Sequence, residues 1–361
     1  MQSNYKRLGD LITPVSEKNS ELVTSDLRGV NYQKYFMPSV ANTHGVDLSN
    51  YKVIRNNQFA CNLMHVGRDE CLPIALHKGN KPIIVSPAYF SFQITDESEI
   101  LSDYLFIWFK RPEFDREACF YTDADVRQGL VKSAFLDMKI AVPPIEEQRK
   151  IVAEFQAIER RIECNRRLIA TLEATAQTIY RHMFVDNIDP ENLPQGWRMG
   201  TIGDVMIISS GKSLTDKRDV PNDEYKYPIA GASGIIGYAN DYNQSDNFIT
   251  TGRVGTIGIV NRYLTKSWTA DNVLVAKSKY FEFAYQILKS INYEELKGGG
   301  VQSLITQTGL SNVVLPIPPD NDINKFERMI NPIANLIIAH QKEISSCHTL
   351  LLLLLSKLSK L

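Results

Sequence analysis

The residues best suited to chemistry sit in one short run, Thr250-Thr251-Gly252-Arg253-Val254-Gly255-Thr256. An arginine set among glycines and hydroxyls lets backbone amides approach a phosphate while the guanidinium reaches a guanine edge. Lys212, Ser213, Ser233, Gly234, Tyr238, Gln302 and Ser303 have the same character in the same half of the chain. Earlier in it, Arg55, His65, Arg68, Arg127, Gln128 and Lys132 are the comparable candidates. Taken singly, each of these also reads as a solvated surface residue, since polar loop side chains are mostly exposed.

Other stretches imitate catalytic motifs without completing them. Gly211-Lys212-Ser213 is the tail of a phosphate-binding loop, but Met206 stands where that loop needs its first glycine. Gly231 to Gly237 is glycine-rich with the wrong spacing for a dinucleotide loop and no helical pattern after it. Cys61, His65, Cys71 and His77 offer four potential zinc ligands, at a spacing unlike a common zinc knuckle. The chain has no Asn/Asp-Pro-Pro-Tyr/Phe run for amino methylation, no His-Glu-x-x-His pair and no Gly-x-Ser-x-Gly elbow. The expectation is a protein without catalytic residues, resident cofactor or metal.

Forty Lys plus Arg against forty-one Asp plus Glu leave a net charge of -1, so any polyanion must meet local patches rather than a basic body. Five cysteines without a Cys-x-x-Cys pair fit a reducing compartment. The apolar run Leu350 to Leu355 is far short of the roughly 20 residues that span a bilayer. Met1 to Arg7 lead into Leu8-Gly9-Asp10 without a signal-peptide core. A cytoplasmic protein is expected.

The elements that must position these residues are written twice. Tyr5 precedes Leu8-Gly9-Asp10, and Trp197 precedes Ile202-Gly203-Asp204. Each half then runs through short β-type segments to an apolar-Pro-Pro signal, Val142-Pro143-Pro144 and Ile317-Pro318-Pro319, followed by a long helical pattern. The first helix carries an apolar seam from Ile151, Phe155, Ile158 and Ile162 to Met183, in alternating steps of four and three. The second carries it from Ile323 and Phe326 to Leu358 and Leu361, and a constant offset of 175 residues superposes the lists. One polar residue interrupts each seam, Asn165 and its repeat equivalent His340. In an antiparallel pair of helices related by a pseudo-twofold axis these two meet near the centre and fix the register. The simpler reading has each helix merely covering its own neighbouring domain. Pro332 predicts a kink or a late start in the second helix.

Strand-like runs cover Lys81 to Val85 and Ala88 to Ile94 in the first globular part, with a helix at Ser102 to Phe109. In the second they cover Val205 to Ser209, Asn247 to Thr251, Gly258 to Asn261 and Val273 to Ala276, before a helix around Phe281 to Ile291. The fold class is α/β, mixed α+β.

Leu193-Pro194-Gln195-Gly196-Trp197 entering Ile202-Gly203-Asp204, the run Ile249 to Gly258, and Val142-Pro143-Pro144-Ile145-Glu146-Glu147-Gln148 joined to a long helix give the chain its likeness. Over almost its whole length it resembles the specificity subunits of type I restriction-modification enzymes. The resemblance implies two target recognition domains, 1–142 and 187–316, separated by two long antiparallel helices, 143–186 and 317–361, that form an intramolecular coiled coil. It implies that each domain reads half of a split double-stranded DNA target and that the helices measure the gap. Two methyltransferase subunits would dock on this frame and restriction subunits would join them, with S-adenosylmethionine, ATP and magnesium held by those partners. The second helix departs from the pattern, opening on Asp320-Asn321-Asp322 instead of Glu-Glu-Gln. Two rival readings are a coiled-coil scaffold that binds proteins without reading DNA, and a stand-alone nucleic-acid enzyme.

Overall fold

The computed structural model describes residues 4–39, 45–64, 66–122, 128–254, 256–296 and 304–358. His65, Arg127, Gln302, Ser303 and Leu361 lie outside the described residues. The chain forms two compact units, one of Met1–Cys164 with Glu343–Leu361, the other of Asn165–Lys342. Each long helix, Ile145–Phe184 and Asp320–Leu358, therefore contributes a part to each unit. No helix among the described residues is long and apolar enough to cross a membrane.

The repeated signals close each unit on itself. In the first, Tyr5–Arg7 pairs antiparallel with Lys139–Ala141, so the opening strand meets the strand that enters Pro143-Pro144. In the second, Arg198–Thr201 pairs in the same way with Val314–Ile317, ahead of Pro318-Pro319. The apolar-Gly-Asp triplets become one-turn helices, Leu8–Leu11 and Ile202–Val205. Thr201 and Asp204 close a capping box on the latter, which draws Val205 into the helix and delays the next strand to Ile207–Ser210. Val205 was expected in that strand.

In the first unit a four-stranded antiparallel sheet has the order Ile12–Pro14, Phe90–Ile94, Gln58–Cys61, Ile74–Leu76. Its register sets Phe59 opposite Phe92, whose rings stack at 4.8 Å, and a cross-strand aromatic pair of this kind contributes about 0.2–1 kcal/mol. Phe109, Phe114 and Phe135 from three short helices complete the core, which continues to Val152 and Phe155 of the first long helix and Leu355 and Leu358 of the second. Further along the same pair Arg161 meets Glu343, so residue numbers rise along one helix as they fall along the other and the pair is antiparallel here.

The second unit repeats the scheme. Strands Ile207–Ser210, Val273–Lys277, Phe248–Gly252 and Val260–Tyr263 form an antiparallel sheet in that order. A three-stranded sheet of Gly234–Ala239, Tyr227–Gly231 and Trp268–Thr269 lies in the same unit. Helix Phe281–Ser290 presents Phe283 to Tyr180 and Phe184 of the first long helix and to Phe326 of the second, with ring centroids 5.0 to 6.1 Å apart. In this unit Asn165 is buried, and its Oδ1 lies 2.8 Å from His340 Nδ1.

The second helix starts at Asp320 without delay and continues through Pro332. Ile330 and Ala334, buried on either side of the proline, hold the backbone helical against the loss of one amide donor. The Glu-Glu-Gln opening of the first helix also acquires a role. Gln148, fully buried, accepts from Leu101 N and donates to the carbonyls of Glu99 and Pro143, tying sheet-side loop to helix start. Its repeat equivalent is Ile323, buried in the core of the second unit.

Candidate nucleic-acid interface

The run that contains Arg253 is the connection of a β-hairpin. Strand Phe248–Gly252 pairs with Val260–Tyr263, and Arg253 follows directly on the first of them. Two glycines make the turn possible. A Cβ on Gly252 would come within 2.0 Å of Thr256 O, and Gly258 sits at φ +86° against the ring of Tyr293. Arg253 is held by its backbone at both ends, its N–H donating to Asn272 O at 3.0 Å and its carbonyl accepting from Ile305 N at 3.1 Å. Among the described residues its half-buried guanidinium meets no carboxylate, and Nε is buried without a hydrogen bond. The backbone is thus fixed while no described carboxylate neutralises the charge, which suits a phosphate or a guanine edge. Burial pushes the neighbouring Tyr293 hydroxyl up to about 12, so it stays protonated beside the turn.

The other candidates differ in how far their polar atoms are already used. Arg55 makes a two-pronged ion pair with Glu17 at 2.6 and 2.9 Å, and that guanidinium holds the Glu17 carboxyl below its ordinary range. Arg68 is likewise forked onto Asp69 at 2.8 and 3.2 Å. Gln128, in the left-handed region at φ +49°, accepts at its carbonyl from Gly67 N, which places it beside the loop that carries Arg68. Lys132 opens the helix Lys132–Asp137 with its ammonium 4.6 Å from the Phe90 ring.

In the second unit, Lys212 is bound through its backbone to Thr269 O and to the indole N–H of Trp268, leaving its exposed ammonium outward with Ser213. No helix follows Gly211-Lys212-Ser213, so the half-motif is not a phosphate-binding loop. Ser233, with Ala232, forms the tight turn of the hairpin Tyr227–Gly231 with Gly234–Ala239, Gly234 at φ +128° opens its second strand, and Tyr238 on that strand exchanges both backbone hydrogen bonds with Arg218.

Cys61 is fully buried and its thiol is pushed up by burial. His77 has Nε2 2.8 Å from Lys81 O. Among the described residues no group of His, Cys, Asp and Glu is arranged to hold a metal ion.

Two groupings were not singled out in the sequence. Tyr227 and Tyr242 pack at 5.0 Å, with Lys226 5.4 Å from the first ring and Lys266 4.6 Å from the second. Basic groups interleaved with aromatic faces are a surface on which nucleic acid can rest, and Lys226-Tyr227 was a legible hint. The other surrounds Glu173 of the first long helix. Arg262 donates to Glu173 and, at 2.8 Å, to Glu282, with its guanidinium 3.9 Å from the Tyr285 ring. Lys289 donates to the other Glu173 oxygen at 2.8 Å. Burial pushes the Glu282 carboxyl above its ordinary range. Arg262 and Glu173 are 89 residues apart in sequence, and no local pattern announces the pairing.

The family described as type I restriction modification DNA specificity domain matches residues 3–174 and, a second time, residues 194–353. The type I restriction enzyme MjaIX specificity subunit of Methanocaldococcus jannaschii is 22% identical over 291 residues, covering 70% of this chain. The chain spans 66% of the length of that curated relative. The crystal structure of the S subunit of a type I restriction-modification system from M. genitalium superposes with a TM-score of 0.56 at 15% identity, covering 98% of this chain and 95% of its own.

Proposed function

Because the chain belongs to the type I restriction-modification DNA specificity family, we propose that it reads a split double-stranded DNA target, one half-site for each recognition domain, and performs no catalytic step itself. The domain boundaries that fit this reading are 1–142 and 187–316 for recognition, with 143–186 and 317–361 as spacer helices. Methyltransferase subunits, two of them, dock on this frame and modify an adenine in each half-site, and restriction subunits join to cut unmodified DNA. S-adenosylmethionine, ATP and magnesium belong to those partners.

Arg253 carries the reading. A hairpin tip with a fixed backbone and an unneutralised guanidinium is preorganised for an anionic or guanine partner, because little is spent on ordering it at binding. Side chains from such loops enter the major groove, with Arg or Lys reading guanine and Gln or Asn reading adenine.

The test is to co-express the chain with its methyltransferase subunit and map modified adenines across the host genome. A split motif that appears only when both are present is expected. Co-purification of the two without any new methylation would instead favour a protein-binding scaffold, and methylation or cleavage by the purified chain alone would revive the stand-alone enzyme.

A further inference from the structure

We infer that Glu173 is a positioning residue for DNA reading, which it performs by fastening the Arg253 hairpin to the first long helix. The inference rests on the specificity reading and names the contact through which one recognition domain is registered to the helix that measures the gap.

The hairpin has two strands, and its anchor and its tip lie on the same one-piece element. Arg262, on the second strand, faces Ile249 on the first, four residues before Arg253. At about 3.3 Å per residue the tip stands roughly 13 Å beyond the anchor. Arg262 is nearly buried, and its guanidinium is fixed on three sides by Glu173, Glu282 and the Tyr285 ring. Glu173 is the member of this group supplied by the long helix. Its two oxygens are divided between Arg262 and Lys289, and both cations come from the recognition domain. Two acids and two bases neutralise one another in a half-dry site, so removing one carboxylate leaves a buried arginine undercompensated. Arg262 then keeps Glu282 and the Tyr285 ring, both of which belong to helix Phe281–Ser290 of the recognition domain. The hairpin keeps its own hydrogen bonds but loses its charged grip on the long helix.

Among the described residues the first unit shows no such four-charge group at its helix contact. There Lys110 meets Glu159 at 2.7 Å, a single pair with side chains 23% and 44% exposed, which solvent screens. The grip on the second domain is therefore the stronger of the two and the more informative to break.

The experiment uses the chain in complex with its methyltransferase subunit, once the wild-type motif is mapped. Three DNA duplexes carry identical half-sites with the gap one base pair shorter, natural, or one longer. Adenine methylation rates on the three are compared for wild type, Glu173→Gln and Lys289→Met. Glutamine keeps an acceptor for Arg262 but not the charge, and Lys289→Met removes one donor while leaving the Arg262 contact in place, so the set grades the loss. We expect the preference for the natural gap to fall by about tenfold, or 1.4 kcal/mol, in Glu173→Gln and by less in Lys289→Met, with the base preferences of the half-sites unchanged. An unaltered gap preference in both variants overturns the inference. So does an equal fall on all three duplexes accompanied by a lower melting temperature, which marks Glu173 as merely structural. A wild-type complex that methylates no split motif overturns the specificity reading itself, an outcome separate from these.

Discussion

Arg253 differs from Arg55 and Arg68 in what its charge has already found. Each of the latter is forked onto a carboxylate, Glu17 or Asp69, so binding a phosphate means first giving up that pair or sharing it. Among the described residues Arg253 has no such pair to give up. Arg253→Ala should therefore lower affinity for specific DNA by roughly 1–3 kcal/mol and relax one half-site, leaving readout of the other intact. Arg68→Ala should change affinity by less than about 1 kcal/mol, the scale of an exposed pair. Competition binding against duplexes altered in one half-site at a time measures both, and unchanged discrimination in Arg253→Ala removes that residue from the reading surface. The charge of Arg253 was legible in the sequence, because glycines and hydroxyls around an arginine imply an accessible backbone. Its freedom from acidic partners was not, since Glu17 and Arg55 are 38 residues apart and only folding decides which arginines become paired.

At the scale of elements, the two long helices hold a polar contact where their seams are otherwise apolar. Asn165 Oδ1 faces His340 Nδ1 at 2.8 Å, and the Asn165 amide nitrogen is buried without a hydrogen bond among the described residues. Such a pair fixes register at a cost in stability. Asn165→Leu alone should destabilise the protein by about 1–3 kcal/mol, because the half-buried His340 imidazole loses the Asn165 oxygen that it faces. Replacing both, Asn165→Leu with His340→Leu, should recover that loss, so the two changes should be strongly non-additive in thermal or urea unfolding. Additive effects would show that the contact does not couple the helices. The constant offset between the two seams made the partners legible in advance, and an antiparallel pairing about a pseudo-twofold axis brings only the middle of two equivalent seams face to face. Pro332 shows the limit of such local reading. The proline predicts a kink or a late start, and the late start is not observed, because the helix opens at Asp320 and buried Ile330 and Ala334 offset one missing donor.

For the molecule as a whole, a net charge of -1 limits how many phosphates the chain can neutralise unaided. The logarithm of the DNA-binding constant falls with the logarithm of salt at about -0.9 for each phosphate neutralised. The isolated chain should show a shallow slope, and the complex with methyltransferase subunits a much steeper one, as partner surfaces supply the missing cations. Titrations between low and physiological salt test this directly. Equal slopes would mean that the chain makes most phosphate contacts itself, from local patches such as Lys226, Lys266 and Lys212.

The sequence alone determined the parts that periodicity and repetition encode. The duplicated plan, the two seams, the Pro-Pro entries into both helices, the helix from Ser102 to Phe109 and the strands around Phe248 and Val273 all follow from patterns within a few turns of chain, where apolar spacing and backbone restriction act locally. Tertiary structure alone decided which charges meet. Glu173, Arg262, Glu282 and Lys289 come from a long helix, a strand and a short helix, and they converge because the hydrophobic core around Tyr180, Phe283 and Phe326 fixes those elements first. Burial then strips the charges of water, and each must take whatever opposite charge the packing has put within reach. No one-dimensional pattern carries that information, since apolar spacing specifies which face of each element turns inward but leaves the polar neighbours across the core unspecified.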